Sequence, residues 1–176
     1  MPTDTAVLHV CPLRLVPKVI ADTGARSLIS AINAHLMPPT PSAIPPERHL
    51  KLAMSDADRV REGEPHPQAA QIVQLIAFAR TWDRASPMVI HCFSGLNRST
   101  AAAFIIACAL APSSSEILIA HRLRLASETA APHRMMIGLA DRELQRSGRM
   151  YAAIESIGHG MPAAEGKPFA LMLTQS

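Results

Sequence analysis

Cys92 and Arg98 stand six positions apart in the run His91-Cys92-Phe93-Ser94-Gly95-Leu96-Asn97-Arg98-Ser99-Thr100. Residue types and spacing suit this run to a tetrahedral oxyanion. The apolar stretch 87–90 predicts a short buried strand leading in, and 99–110, apolar nearly all round, predicts a buried helix leading out. A loop between the two turns successive backbone N–H groups inward, and the new helix adds the positive end of its dipole. In that field Cys92 favours thiolate over thiol and becomes a nucleophile near neutral pH. Arg98 can grip two phosphate oxygens with its planar fork. Gly95 relieves backbone crowding where the loop curls around the anion. A cation at the positive end of a buried helix is unfavourable unless an anion lies between them, so the position of Arg98 itself argues for one. The bland alternative is a half-buried cysteine beside a helix start capped by Ser99 or Thr100. Taken as chemistry, the run holds the parts of phosphoryl transfer through a cysteinyl-phosphate, with Phe93, Ser94, Gly95, Leu96, Asn97 and Arg98 around the bound phosphoryl group.

The elements that must position this loop follow from periodicity and punctuation. Strands are expected at 6–11, 27–32 and 49–54, with a short helix at 16–22 stopped by Gly24. Five prolines make 33–47 a stiff extended loop, and 55–67 is a charged loop with Gly63, Pro65 and Pro67. Ile72, Leu75, Ile76 and Ala79 recur at helical spacing in 68–82. Beyond the anion loop the chain reads as helices alone. One is opened by a capping box from Ser113 to Glu116, one runs from Pro132 to about 146, and one spans 150–157. Strands alternating with helices, then helices alone, predict a single α/β domain with a mainly parallel central sheet of four to five strands flanked by helices. The loop then lies at the carboxyl ends of the strands. Residues 6–158 form the expected core, and 160–176 reads as a C-terminal tail.

Composition narrows the field. A chain of 176 residues with 48% hydrophobic content suits one domain with a sizeable core. A net charge of +3 without a basic block, together with a single Trp and a single Tyr, argues against a nucleic-acid partner. Three cysteines, odd in number and not spaced for zinc, indicate a reducing compartment and no metal site. Residues 2–5 are polar and the next apolar run is broken by Pro12 and Pro17, so no signal peptide is expected. The longest apolar run, 101–111, is too short to span a bilayer, and the expectation is a cytoplasmic protein without a membrane partner.

The loop resembles the phosphate-binding signature of the cysteine-based protein tyrosine phosphatases, H-C-x5-R-S/T, and is most similar to the compact dual-specificity branch and its bacterial relatives. Residues 49–56, His-Leu-Lys-Leu-Ala-Met-Ser-Asp, resemble the strand and acid loop of those enzymes, and 123–139, with Ala131-Pro132-His133 at its centre, is similar to their downstream helical segment. The resemblance implies a tyrosine-phosphatase-like fold and hydrolysis of phosphotyrosine, with phosphoserine and phosphothreonine as further substrates and no cofactor. It implies Cys92 as nucleophile, Arg98 as phosphate clamp, and Ser99 as the hydroxyl that hydrogen-bonds the cysteine sulfur. His91 is implied as a supporting residue that orients the loop; a core histidine satisfied by backbone is its alternative.

The resemblance places the general acid on the loop after the third strand. Asp56 leaves the strand first and is preferred there to Asp58, which also reads as a turn residue paired with Arg59 or Arg61. His133 falls where the family usually has Asn, and no catalytic role is assigned to it. Arg122 and Arg124 read as surface or loop-bracing charges, Cys108 as an inert core residue, and Cys11 as a thiol that can approach the site. Low-molecular-weight phosphatases carry the signature near the N-terminus and rhodaneses generally lack the preceding His and the acid. Phosphoinositide phosphatases tend to carry Lys in the loop, which residues 93–97 lack. A phosphoinositide or other small phosphomonoester phosphatase, and a non-catalytic phosphate-binding module, are the remaining readings.

Overall fold

A computed structural model describes residues 6–173. The polar segment 2–5 and the last three residues of the expected tail lie outside the described residues. Four strands, β1 (Ala6–Pro12), β2 (Ser27–Ile32), β3 (His49–Ala53) and β4 (Met88–Cys92), are mutually parallel. A fifth, β5 (Phe169–Leu173), runs antiparallel to β1, giving the order β3-β2-β4-β1-β5. The segment read as a tail therefore supplies an edge strand. Its five residues are all apolar, so no alternation marks them in sequence, and pairing with β1 decides their state.

All six residues of β2 are buried, which requires cover on both faces of the sheet. On one face α1 (Val16–Thr23) packs Val16, Val19 and Ile20 against Leu28, Val89 and Cys11. The other face carries the larger core, where Val10, Ile29 and Ile90 meet α2 (Ala69–Thr81) and α3 (Arg98–Leu110). Helix α3 is buried from Arg98 to Ala109 and is rich in Ala, which lets it lie close to the sheet and to its neighbours. Beside it stand α4 (Glu116–Ala126) and α5 (Arg134–Glu143), with α6 (Arg149–Ser156) packed on those two. Among the described residues, no helix is long and apolar enough to cross a membrane.

Two predicted helix starts shift. The Ser113–Glu116 capping box does not form: Ser115 is the N-cap without a side-chain bond, and Glu116 Oε1 instead accepts from Arg146 Nη1 (2.7 Å) and Arg149 Nε (3.2 Å). A long-range, charge-assisted pair has displaced a local one. Helix α5 begins at Arg134 rather than Pro132, because the amides of Ala131 and His133 donate to loop carbonyls of Leu96 and Asn97. It ends at Glu143 rather than near Arg146, whose guanidinium is drawn to Glu116 and to the Cys108 carbonyl.

Candidate active site

β4 ends at Cys92 and α3 begins at Arg98, so residues 93–97 form the loop between them at the carboxyl end of the central strand. Four of its five carbonyls are held by other parts of the chain. Phe93 O accepts from Leu13 N (3.1 Å) and Ser94 O from Gly166 N (2.8 Å). Leu96 O accepts from Ala131 N (3.0 Å) and Asn97 O from His133 N (3.2 Å). No backbone N–H of residues 94–97 donates to another backbone group among the turns and loops of the described residues. Ser99 and Thr100 do not cap α3. Thr100 Oγ1 donates to Leu96 O (2.6 Å), Ser99 Oγ lies 3.1 Å from Cys92 Sγ, and the helix start has no side-chain cap.

Gly95 owes its identity to its neighbours. Its φ is +73°, and a Cβ there would lie 2.8 Å from Pro12 N and 3.0 Å from the Cys11 carbonyl carbon. The crowding comes from the end of β1. On the opposite side a Cβ at Gly166 would lie 2.8 Å from Gly95 O, so the segment before β5 rests directly on the loop.

Arg98 is only 3% exposed although it is charged. Its Nη1 donates to Asn33 Oδ1 (2.8 Å) and to Met54 O (2.7 Å), while its buried Nε has no hydrogen-bond partner. The guanidinium is thus tied by one corner, and Nε faces Asp56, whose Oδ1 lies 3.6 Å away. Asp56 is oriented further by Asn97 Nδ2, which donates to its Oδ2 (3.1 Å). Asp58 points to solvent, with its carboxylate 80% exposed and Arg59 and Arg61 3.9 and 4.0 Å away. A cleft of about 740 Å³ opens here, lined in part by Asn33, His35, Asp56, Arg61 and Asn97.

His91 is fully buried, with Nδ1 3.2 Å from the Cys92 carbonyl and Nε2 2.6 Å from Ser30 Oγ. Burial pushes its imidazole down to about 4, against the opposing pull of the bond to Cys92, and the Arg98 charge adds a smaller push in the same direction as burial. Cys11 sits in register with His91 on β1. Burial first, and the neighbouring Cys92 second, push its thiol up to about 12. The three cysteines are free thiols, and Cys108 is buried inside α3.

The shift at His91 sets a stability profile. Its folded value lies below the unfolded value of about 6.5, so between the two the unfolded chain binds more protons. Stability is full above about pH 6.5 and falls as pH drops toward 4, by about 3 kcal/mol from this residue. Urea melts from pH 7.5 to 4 measure this, and a midpoint flat across that range would contradict it.

Two residues that the sequence reading left without a role shape the site. Asn33, first after β2, holds Arg98. His133 donates from Nε2 to the carbonyl of Ala57 (2.8 Å), next to Asp56, and so ties the acid loop to the head of α5. The signal available for Asn33 was a polar residue just past the carboxyl end of a buried strand. Arg124 braces loops, donating to the carbonyls of Ser127, Glu128, Ile157 and Gly158.

No protein-family model and no curated protein matches this sequence. Solved structures do match the fold. The crystal structure of DUSP15 superposes with a TM-score of 0.61 at 13% identity, covering 92% of this chain and 94% of that one. Human DUSP28 gives 0.59 at 14% identity over 84% and 91% of the two chains. The PTP-2 phosphatase of Cydia pomonella gives 0.58 at 15% identity over 77% and 84%. The chain has the tyrosine-phosphatase-like fold, as the signature loop led one to expect.

Proposed function

We propose that this chain, built on the fold of the tyrosine phosphatases, is a cysteine-dependent phosphatase that hydrolyses phosphotyrosine, with phosphoserine and phosphothreonine as further substrates, through a cysteinyl-phosphate. The observation that carries this reading is Arg98, a buried guanidinium at the head of α3 that is anchored through Nη1 to Asn33 and Met54, while its Nε makes no hydrogen bond and lies 3.6 Å from Asp56 Oδ1. Leaving such a donor buried and unbonded costs on the order of 1–3 kcal/mol, which a phosphoryl oxygen bound there would recover.

In this mechanism the amides of residues 93–97 and the Nε edge of Arg98 hold the phosphoryl oxygens. Cys92 Sγ attacks phosphorus, and the bond to the leaving oxygen breaks as Asp56 protonates it. Asp56, now a carboxylate, then takes a proton from water as that water displaces sulfur. Ser99 Oγ, 3.1 Å from Sγ, stabilises the thiolate at both ends of the cycle. The open cleft beside Asp56 favours a phosphorylated protein over a small phosphomonoester, and a loop without Lys disfavours a highly charged inositol head group. Because the loop and Arg98 supply the positive charge, turnover is expected to persist in chelators and to be blocked by vanadate.

Asp56→Asn tests the assignment of the acid. It is expected to slow hydrolysis of a phosphotyrosine peptide by about a hundredfold or more, and of nitrophenyl phosphate by less, since a good leaving group needs less protonation. The fall in rate at higher pH should flatten while the acidic limb remains. Asp58→Asn is expected to stay within about threefold of wild type. A large, leaving-group-dependent loss in Asp58→Asn alone would reverse the assignment. Phosphoserine and phosphoinositide substrates measured alongside decide between the substrate classes.

A further inference from the structure

A line of polar groups, half-buried at Thr40 and His49 and buried at Ser30 and His91, crosses three adjacent strands and ends on the backbone of Cys92. Thr40 Oγ1 lies 2.8 Å from His49 Nδ1, and His49 Nε2 lies 2.8 Å from Ser30 Oγ. Ser30 Oγ lies 2.6 Å from His91 Nε2, and His91 Nδ1 lies 3.2 Å from the Cys92 carbonyl. Ser30 is directly opposite His91 in the β2–β4 register, and His49 heads β3 beside them.

The proton positions follow from chemistry alone. A carbonyl can only accept, so His91 Nδ1 carries its proton. His91 is neutral near pH 7, so Nε2 accepts and Ser30 must donate to it. A hydroxyl has one proton, hence Ser30 Oγ accepts from His49 Nε2–H. His49 is likewise neutral, its imidazole lowered to about 4 by burial first and then by Lys51 and His91, so Nδ1 accepts from the Thr40 hydroxyl. Every donor points toward Cys92. Bonds aligned in this way polarise one another, and the chain presents its positive end to the carbonyl of the cysteine.

We infer that Thr40, His49 and Ser30 are positioning residues of the phosphate loop, acting through His91 to fix the Cys92 carbonyl and to favour the thiolate above it. The inference rests on Cys92 being the nucleophile. It also gives the proline-rich segment a role: Thr40 lies between Pro39 and Pro41, where restricted backbone holds the outer end of the chain still. Other charged or titratable groups near the line are Lys51 on β3, Cys11 on β1 and Arg98 at the head of α3. The α1 residues packed on this face are apolar, and Lys18 and Asp22 of α1 are exposed and paired with each other.

The test reads Cys92 ionisation without requiring turnover. The pH dependence of ultraviolet thiolate absorbance is measured as the difference between each protein and its Cys92→Ser counterpart. Ser30→Ala is expected to move that titration up by about half to one pH unit, a three- to tenfold loss of thiolate on its acidic side. Thr40→Val, isosteric and at the outer end, should move it in the same direction by less. Adding His49→Gln to Ser30→Ala should add little, because the chain is already cut. In the wild type, nitrogen NMR should find His91 as the Nδ1–H tautomer and His49 as Nε2–H. A lower melting temperature with an unmoved titration, or the opposite tautomers, overturns the inference. Should Ser30→Ala fail to fold, Thr40→Val and the tautomers decide it. A moved titration in a protein that turns over no phosphomonoester would sink the phosphatase reading and leave this one standing.

Discussion

Cys92→Ser is expected to bring hydrolysis down by at least about three orders of magnitude while the affinity for inorganic phosphate or vanadate stays within about tenfold of wild type. The two halves of this result have separate causes. In the proposed mechanism binding resides in the loop amides and in Arg98, whose anchors at Asn33 and Met54 are untouched by the exchange. Turnover requires a sulfur nucleophile, and a serine hydroxyl with Ser99 as its neighbour has no base to activate it at neutral pH. Single-turnover kinetics on a phosphotyrosine peptide, with phosphate binding by calorimetry, measure both. A rate within tenfold of wild type would remove Cys92 as nucleophile. Loss of phosphate binding together with turnover would mean that serine had distorted the loop.

The second large effect is at Arg98. Arg98→Lys keeps the charge and is expected to lower kcat about a hundredfold or more, with a smaller rise in KM. Lysine cannot satisfy Asn33 and Met54 from one corner while presenting a second, coplanar donor to the phosphoryl group. Its ammonium can serve the protein or the substrate. The companion change Asn33→Ala should reproduce part of the loss with the guanidinium intact, because it removes one tether and leaves the other. A near-normal kcat in Arg98→Lys would mean that the clamp acts as a point charge only.

The loop and its flanking elements were legible because their signals are local. The strand into Cys92, the buried helix from Arg98 and the third strand ending just before Asp56 are each marked within a dozen residues. The preference for Asp56 over Asp58 rested on which of them leaves the strand first, set against the acid position of the family the loop resembles. Contacts made across the sheet were not legible. The pairings of Arg98 with Asn33, of His133 with Ala57 and of Ser30 with two histidines join residues far apart in sequence, and no spacing rule connects them. The segment 160–173 was the least readable part. Its strand has no alternation, and the function of Gly166 is visible only once Gly95 is beside it.

That contact has a bearing on synthesis. Chains emerge from the N-terminus, and domains acquire structure in that order where they can. Here Cys92, Arg98 and Asp56, the nucleophile, clamp and acid of the proposed mechanism, all precede residue 100, yet the carbonyl of Ser94 finds its donor in Gly166 and β1 its outer neighbour in β5. A nascent chain that has reached α6 carries every reacting group with the loop still open on one side. On the proposed function, the loop that would hold phosphate is completed on that side only when the segment containing Gly166 packs against Gly95.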